Sequence, residues 1–231
     1  MHCSSIDMVA LASMPTLGFP ISMTTRRFQL VLLGLYLATF FVCAIRPYDR
    51  GVWIAENTPI ILLVATVVWA SKFHCFSKTA CLFMVVLPIL HTVGGHFTFE
   101  RVPFDWVTDA FGFERNHYDR IAHFSVGFYA YALAELFAER QWIKPKPLIL
   151  VIPILIILAV AGAYEIFEWL YAISSDPEAG AAVLGSQGDV WDAQKDMLAD
   201  TVGAVLSVSV YWAQTRSRQM TPRSLSDSRA N

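Results

Sequence analysis

The chain has 231 residues, of which 55% are hydrophobic and only 16% are charged, and its mean hydropathy is +0.48. Because the apolar residues are concentrated in long runs, these values indicate an integral membrane protein and argue against a soluble domain. The formal net charge of −2, without a basic segment interleaved with aromatic residues, argues against nucleic-acid binding.

The residues before the first apolar run, 1–27, are predicted to form an N-terminal segment without a membrane helix. They lack the basic region, apolar region and cleavage site of a signal peptide. Met23 is followed by Thr-Thr-Arg-Arg and then by the apolar run. We therefore expect either a disordered extension or a translation start at Met23.

About six membrane helices are predicted after this segment, each long enough to cross a hydrocarbon core of roughly 30 Å. The predicted fold class is all-α, a polytopic membrane helix bundle that forms one domain over residues 28–214. The predicted spans are residues 28–44, 52–71, 79–97, 117–137, 148–172 and 189–214. A polar, glycine-rich loop is predicted over 173–188, and a disordered cytoplasmic tail over 215–231.

The distribution of basic residues predicts the orientation. If both termini are cytoplasmic, the inner segments hold eleven of the seventeen lysines and arginines, as expected from the positive-inside rule. The ionisable residues of four spans then lie at one level in the outer leaflet: His91, His96, His117, Asp119, His123, Glu165, Glu168, Asp189, Asp192, Asp196 and Asp200.

Helical spacing places many of these residues on shared faces. Asp119 and His123 are four positions apart, and the four aspartates between 189 and 200 are spaced by three, four and four, which keeps them within roughly 60° of one another. Gly203 continues this acidic stripe and would let another helix approach closely. Ionisable groups inside a membrane are costly and usually functional, so we predict that the acidic faces turn toward one another.

Six or more carboxylates around one small space need compensation, either by shared protons or by a cation. Histidine mixed with carboxylate suits zinc, manganese or iron, and carboxylates alone suit calcium or magnesium. The sharpest hypothesis is a divalent metal (Zn, Mn or Mg) bound by some of six side chains: Asp119, His123, Glu165, Glu168, Asp196 and Asp200. All of these except Glu168 are also the candidate catalytic residues.

Several residues have simpler explanations. Asp189 suits an N-cap, Asp192 a partner for the helix dipole, and Asn116 a cap for the fourth helix. For the whole group, the alternative is a buried polar network that only fixes helix packing. His91 and His96 are either ligands or simply hydrogen-bonded histidines, and three acids have a simpler interfacial role: Glu56, Glu135 and Glu139. A further group close in sequence is either a metal site or apolar filler at a helix end: His74, Cys75 and Cys81.

Three arginines, Arg101, Arg115 and Arg120, are predicted on the same outer side. They either neutralise the acids or hold a phosphate or lipid headgroup. No serine or cysteine stands in an evident nucleophile motif, which leaves little support for covalent catalysis.

Three segments, residues 104–124, 164–169 and 185–200, closely resemble the bacterial YjdF-like inner-membrane proteins, a multi-span family of the DUF2238 type. The resemblance covers most of the chain after about residue 28. It implies a multi-pass protein of the bacterial plasma membrane, and by itself it implies no activity.

A looser resemblance in layout is to the VanZ-like proteins, which are associated with glycopeptide resistance. The matching positions are Asp119 and His123 in one span, Glu165 in the next, and Asp196, Asp200 and Gly203 in the last. Asp200 stands where asparagine is commoner in that pattern. Layout alone transfers no function.

Three hypotheses about function follow. The first is an enzyme that performs metal-assisted hydrolysis or transfer on a lipid or lipid-linked envelope precursor. The second is an ion or proton pathway through the same carboxylates. A transporter would carry polar residues past the midplane of the bilayer, whereas here the inner halves of the predicted spans are nearly apolar apart from Glu135. The third is a non-catalytic membrane component. Besides the bilayer and such a headgroup, no partner or oligomeric state is predicted.

Overall fold

The structure of the chain, a computed structural model, describes residues 23–220, and no strand occurs in that range. The prediction of an all-α fold is confirmed. The helices of the described range are α1 (Met23–Cys43), α2 (Arg50–Ala70), α3 (Lys78–Phe97), α4 (Asp105–Phe111), α5 (Tyr118–Val126), α6 (Tyr129–Glu139), α7 (Lys146–Ser174), α8 (Pro177–Leu184) and α9 (Asp192–Met220).

Five helical stretches of the described residues are long and apolar enough to cross a membrane: Thr25–Cys43 within α1, α2, α3, the α5–α6 pair and α7. The predicted polytopic membrane bundle is thereby confirmed. The helix α9 is as long as α7, 29 residues, but four charged side chains between Asp192 and Asp200 lower its hydropathy. It packs against α5, α6 and α7, so the sixth predicted span is present as a long helix of the bundle.

Polar side chains fix several helix starts. Asp49 accepts a hydrogen bond from the backbone nitrogen of Val52 (2.8 Å) at the start of α2, and Ser77 accepts one from Ala80 (3.2 Å) at the start of α3. Because these bonds satisfy backbone donors that have no helical partner, both helices begin within two residues of their predicted positions.

The predicted connections contain two short helices, α4 and α8, that the sequence analysis missed. Asp176 accepts a hydrogen bond from the backbone nitrogen of Ala179 (3.0 Å), and Pro177 follows in the first turn. This is the sequence signature of a helix start, and it lies inside the segment predicted as a loop.

Both ends of α9 differ from the prediction. Asp189 is not its N-cap: the Asp189 side chain accepts a hydrogen bond from Trp191 (3.1 Å) in an Asx turn, and the helix begins at Asp192. The helix then continues to Met220, six residues into the predicted disordered tail, because arginine and glutamine there are good helix formers. The N-terminal segment was predicted over residues 1–27, but α1 begins at Met23, so the last five residues of that segment are helical. The remainder of the two predicted disordered segments, 1–22 and 221–231, lies outside the described residues.

The fourth span is interrupted at Gly127 and Phe128, where tight hydrogen bonds such as Ala130 N to Gly127 O (3.0 Å) separate α5 from α6. The hydroxyl of Ser207 on α9 donates to the Gly127 carbonyl (2.9 Å). A Cβ at Gly203 would lie 3.0 Å from the carbonyl carbon of Phe124 and closer still to its oxygen. The close helix approach predicted for Gly203 is confirmed.

Five helix ends meet at one end of the bundle, which we call the acidic end: the N-terminal ends of α2, α5 and α9 and the C-terminal ends of α3 and α7. Tyr164 of α7 donates a hydrogen bond to Glu56 of α2, and His123 of α5 is bonded to Asp200 of α9. The expectation that ionisable groups of several spans lie at one level agrees with these contacts.

Candidate functional site

His123 lies at the centre of four ionisable side chains at the acidic end. Its Nδ1 is 3.3 Å from Oδ2 of Asp200, and its Nε2 is 3.7 Å from Oδ1 of Asp119 and 4.0 Å from Oδ1 of Asp196. His123, Asp196 and Asp200 are at most 7% exposed, and the Asp119 side chain is 13% exposed. Two turns of α5 and two turns of α9 therefore supply one buried cluster.

This arrangement is one in which a histidine can bind a cation. When Nδ1 donates its proton to Asp200, Nε2 presents a lone pair toward Asp119 and Asp196. One ligand atom from each of Asp119, His123 and Asp196 lies within 4.8 Å of the other two, and no other group of this kind occurs in residues 23–220. An ion with metal–ligand distances of roughly 2.0–2.2 Å would draw the three side chains slightly together.

Three buried carboxylate oxygens at the acidic end have no hydrogen-bond partner among the described residues: Oδ1 of Asp200, Oε1 of Glu165 and Oδ1 of Asp196, the last of which is ion-paired with Arg120. A buried polar atom without a partner costs about 1–3 kcal/mol. Such atoms therefore mark places where an ion or a polar ligand would be stabilised.

The segment before α5 is held by Asn116. Its side chain accepts a hydrogen bond from Tyr118 N (2.9 Å) and donates to the carbonyl oxygen of Val102 (2.8 Å). Its backbone exchanges two hydrogen bonds of 3.0 Å with the Gln187 side chain. The N-cap of α5 is His117, without a side-chain capping bond, so the predicted cap at Asn116 is wrong; Asn116 forms an Asx turn just before the helix. It also ties the start of α5 to the loop that precedes α9, which fixes Asp119 relative to Asp196.

Arg115 and Arg120 bind the aspartates at the start of α9. Nη1 of Arg115 lies 2.6 Å from Oδ1 of Asp192, and Arg120 pairs with the same oxygen. Arg120 also pairs with Oδ1 of Asp196, the oxygen that faces His123. Of the two roles that the sequence left open for these arginines, the contacts match neutralisation of the acids.

Arg101, by contrast, lies apart from the cluster. Its guanidinium pairs with Glu100 (3.0 Å) and lies over the ring of Tyr48 at 4.1 Å. The sequence placed all three arginines on one side without separating these roles.

Asp189 and His117 lie at the rim. Lys195 donates a hydrogen bond to Asp189 (2.6 Å), and this bond lowers the pKa of the Asp189 carboxyl below its usual range. Burial lowers the pKa of His117, and the nearby Arg115 and Arg120 add to the effect. Asp189 is therefore ionised and His117 neutral near pH 7, and neither contacts His123.

A second buried group, Glu56, His91 and Tyr164, adjoins the first and was missed by the sequence analysis. His91 Nε2 lies 3.0 Å from Oε2 of Glu56, and the Tyr164 hydroxyl donates to the same oxygen (2.9 Å). The ring of Tyr164 lies 5.9 Å from that of His91 and 6.2 Å from that of His123. A continuous row of polar side chains therefore runs from α2 to α9.

The interfacial interpretation of Glu56 is wrong, because the residue is only 2% exposed and its Oε2 is bonded by both His91 and Tyr164. His91 is hydrogen-bonded, one of its two open alternatives, and His96 bonds the Cys43 carbonyl oxygen (2.8 Å). The available signal for Tyr164 was its position four residues before Glu168, on the same helical face.

Glu165 and Glu168 face the cluster from α7 without joining the group of three. Glu168 is 7% exposed and within electrostatic range of His123, Glu56 and Asp119, and Glu165 is within range of His123 and Asp196. The structure thus brings three of the six predicted metal ligands into one group, holds Asp200 on the histidine of that group, and leaves these two glutamates beside it.

Carboxyl groups outnumber cations at the acidic end. Eight carboxyl groups meet three permanently basic side chains there, Arg115, Arg120 and Lys195. Protonation of His91 and His123 would still leave an excess of negative charge. Some carboxyl groups must therefore share protons, or a cation must bind.

A separate acid–histidine pair lies at the opposite end of the bundle. His74 is 3.6 Å from Glu135 and 3.7 Å from Glu139, and the backbone nitrogen of Ser77 donates to Glu135 (2.8 Å). Glu135 is 6% exposed, so its interfacial interpretation is wrong, whereas the Glu139 side chain is 60% exposed. Burial raises the pKa of the nearby Cys75 thiol, which disfavours a thiolate ligand.

Comparison with known proteins agrees with this architecture. The profile of the family described as "Predicted membrane protein (DUF2238)" matches residues 28–217. The chain is 27% identical to the inner membrane protein YjdF of Escherichia coli (strain K12) over 203 aligned residues. The aligned region covers 87% of this chain and 93% of that protein. No solved structure matches it significantly. The resemblance predicted from the motifs is confirmed, and the chain belongs to this DUF2238 family of membrane proteins.

Proposed function

We propose that the protein binds a divalent cation (zinc, manganese or magnesium) through Asp119, His123 and Asp196 and acts on a lipid or lipid-linked envelope substrate. The observation that carries the proposal is the group of three ligand atoms within 4.8 Å of one another. Asp200 supports it, because its bond to Nδ1 turns Nε2 of His123 toward the other two ligands.

A divalent cation here would supply Lewis acidity and lower the pKa of a bound water, to about 7 in the case of zinc. The chain's own residues would do the rest. Asp200 holds the ring of His123, Arg120 limits the charge on Asp196, and Glu165 keeps a carboxylate oxygen free to accept a proton. These roles suit hydrolysis or transfer at a phosphate group, where positioning and electrostatic stabilisation provide most of the catalysis.

The level of the site favours a lipid substrate. The cluster lies near the ends of membrane helices, where headgroups meet the hydrocarbon core. The excess of basic residues on the opposite loops supports an outer-leaflet position and cytoplasmic termini.

Metal binding by the purified protein tests the proposal. The wild-type protein should contain a divalent metal and should bind Mn²⁺ in calorimetric titrations. His123→Ala and Asp196→Asn should abolish this binding, and Asp200→Asn should weaken it by about 10–100-fold, because it no longer fixes the imidazole. Asp176→Asn is the matched control, since Asp176 is exposed and asparagine also caps helices.

The enzymatic part needs its own readout. Overproduction should change the envelope lipid profile, and Asp119→Asn should prevent that change. Metal binding that is undiminished in His123→Ala and Asp196→Asn would refute the cation site. An unchanged lipid profile both on overproduction and in cells lacking the protein would refute the enzyme.

A proton or ion pathway is the second candidate, and the buried His74–Glu135 pair at the opposite end favours it. A pathway would join this pair to the acidic end. Proteoliposomes carrying an internal pH dye would then show proton flux that Glu135→Gln removes, whereas the enzyme hypothesis predicts no such flux.

A further inference from the structure

A cavity of about 540 Å³ lies directly beneath the acidic end, between α2, α3, α5, α6 and α7. Four polar side chains line its upper end: His91, His123, Tyr164 and Asp200. Apart from Thr66 and Tyr129, whose hydroxyl donates to the Met84 carbonyl oxygen, the remaining lining is apolar. The cavity is therefore amphipathic, and its polar end is formed by His123 and Asp200 of the acidic cluster and by His91 and Tyr164 of the adjoining group.

The cavity has a mouth toward the bilayer between α2 and α7. These helices are joined at the acidic end by the hydrogen bond from Tyr164 to Glu56, and they make at most sparse contact with each other elsewhere in the described residues. Leu62 of α2 and Val160 of α7 line the cavity and are 64% and 51% exposed. A bilayer lipid could therefore enter sideways without leaving the membrane.

The length of the cavity matches a hydrocarbon chain. Its lining extends along α2 from Pro59 to Ala70 and along the fourth span from His123 to Leu136. At about 1.5 Å per residue these stretches measure roughly 16 Å and 20 Å. One leaflet contributes about 15 Å to a hydrocarbon core of roughly 30 Å.

We propose that this cavity binds the hydrocarbon chain of a phosphate-bearing lipid and places its headgroup against Asp119, His123 and Asp196. The inference rests on the proposed function and specifies its substrate class, an amphipathic lipid recognised by both ends. The occupant follows from three observations: the polar end, the apolar depth and the opening at hydrocarbon level. A soluble phosphate compound would use only the first of these.

Photolabelling tests where the chain lies. The protein is placed in vesicles of phosphatidylethanolamine and phosphatidylglycerol that contain a phosphatidylglycerol with a diazirine at the end of one acyl chain. Deep binding predicts labelled peptides at Leu133 and Leu136, which line the cavity far from the headgroup end. The labelling there should exceed that at Leu155 and Leu158, which are exposed on the outside of α7.

Two alanines on α7 provide a matched pair of variants. Ala161 lines the cavity and is 3% exposed, whereas Ala163, two residues later, is exposed and does not line it. Ala161→Phe should reduce the label at Leu133 and Leu136 several-fold, and Ala163→Phe should leave it unchanged. Ala161→Leu, a smaller intrusion, should reduce it less and serves if the phenylalanine prevents folding.

The outcomes separate this inference from the proposed function. Equal labelling of Leu136 and Leu158, or labelling that Ala161→Phe leaves intact, would mean annular lipid only and would overturn the inference. Mn²⁺ binding should survive Ala161→Phe. Cavity labelling without any Mn²⁺ binding would support binding of the hydrocarbon chain and refute the cation site. Mn²⁺ binding without cavity labelling would support the cation site and refute binding of the hydrocarbon chain.

Discussion

The close approach of α9 to the fourth span makes Gly203 a sensitive position. In Gly203→Ala the added Cβ would lie 3.0 Å from the Phe124 carbonyl carbon and closer still to its oxygen, distances that real Cβ atoms essentially never show. Both neighbours are backbone atoms, so the helices themselves must separate, by on the order of 1 Å, at a cost of about 1–3 kcal/mol.

We expect two measurable consequences. At roughly 2–4 °C per kcal/mol, the melting temperature in detergent should fall by about 2–12 °C. Mn²⁺ affinity should fall too, because Asp196 and Asp200 move with α9, and the 3.3 Å bond between His123 and Asp200 lengthens beyond hydrogen-bond range.

Two further glycines sharpen the test. Gly34 has no atom within 4 Å of its added Cβ, so Gly34→Ala should leave the melting temperature unchanged or slightly raised, as expected from the higher helix propensity of alanine. Gly127 lies in the same crossing as Gly203, so the two substitutions should cost less together than the sum of each alone. Wild-type melting temperature and Mn²⁺ affinity in Gly203→Ala would refute this account of the crossing.

Three other substitutions follow from the contacts at the acidic end, with thermal unfolding in detergent as the measurement. Tyr164→Phe removes a hydrogen bond from buried Glu56 and should lower the free energy of unfolding by about 1–3 kcal/mol. A melting temperature equal to that of wild type would show that Glu56 has another hydrogen-bond donor. Arg120→Gln leaves Asp192 and Asp196 without a shared cation and should lower the free energy of unfolding by about 3–5 kcal/mol. The control is Arg101→Gln, an exposed position, which should cost less than about 1 kcal/mol. Equal losses of stability in the two variants would contradict the burial argument. Asp119→Asn should raise the melting temperature of the metal-free protein, because it removes a negative charge from an acidic cluster. A fall in melting temperature would indicate that Asp119 has a structural role.

Helical periodicity was sufficient to predict the faces of the site but not the neighbours of each face. The four-residue spacing of Asp119 and His123 and the aspartate spacing before Gly203 placed their side chains on single faces, and α5 and α9 do meet there. The period of a helix follows from backbone geometry, so residues in the sequence determine it locally.

Lateral arrangement, in contrast, depends on how all helices pack together. Glu56 and Glu135 each looked like an isolated acid near a span end, and each is buried because a histidine of another segment faces it. No local pattern in α2 indicates that α3 and α7 will supply His91 and Tyr164. Such pairs become visible only once the bundle is assembled, which is why the second polar group escaped the sequence analysis.

The same assembly bears on whether the acidic cluster exists only to fix helix packing. The crossing of α9 with the fourth span is already secured without charges, by the glycines at 127 and 203 and the hydroxyl of Ser207. Glycine contacts hold membrane helices together at no desolvation cost, whereas buried charges must be compensated at several kcal/mol each. The crossing does not need the buried charges one to two helical turns away from it. Burying these charges adds a desolvation cost for three side chains: Asp119, His123 and Asp196. The buried charges therefore favour a ligand over packing alone, and the stability of metal-free Asp119→Asn is the measurement that separates the two.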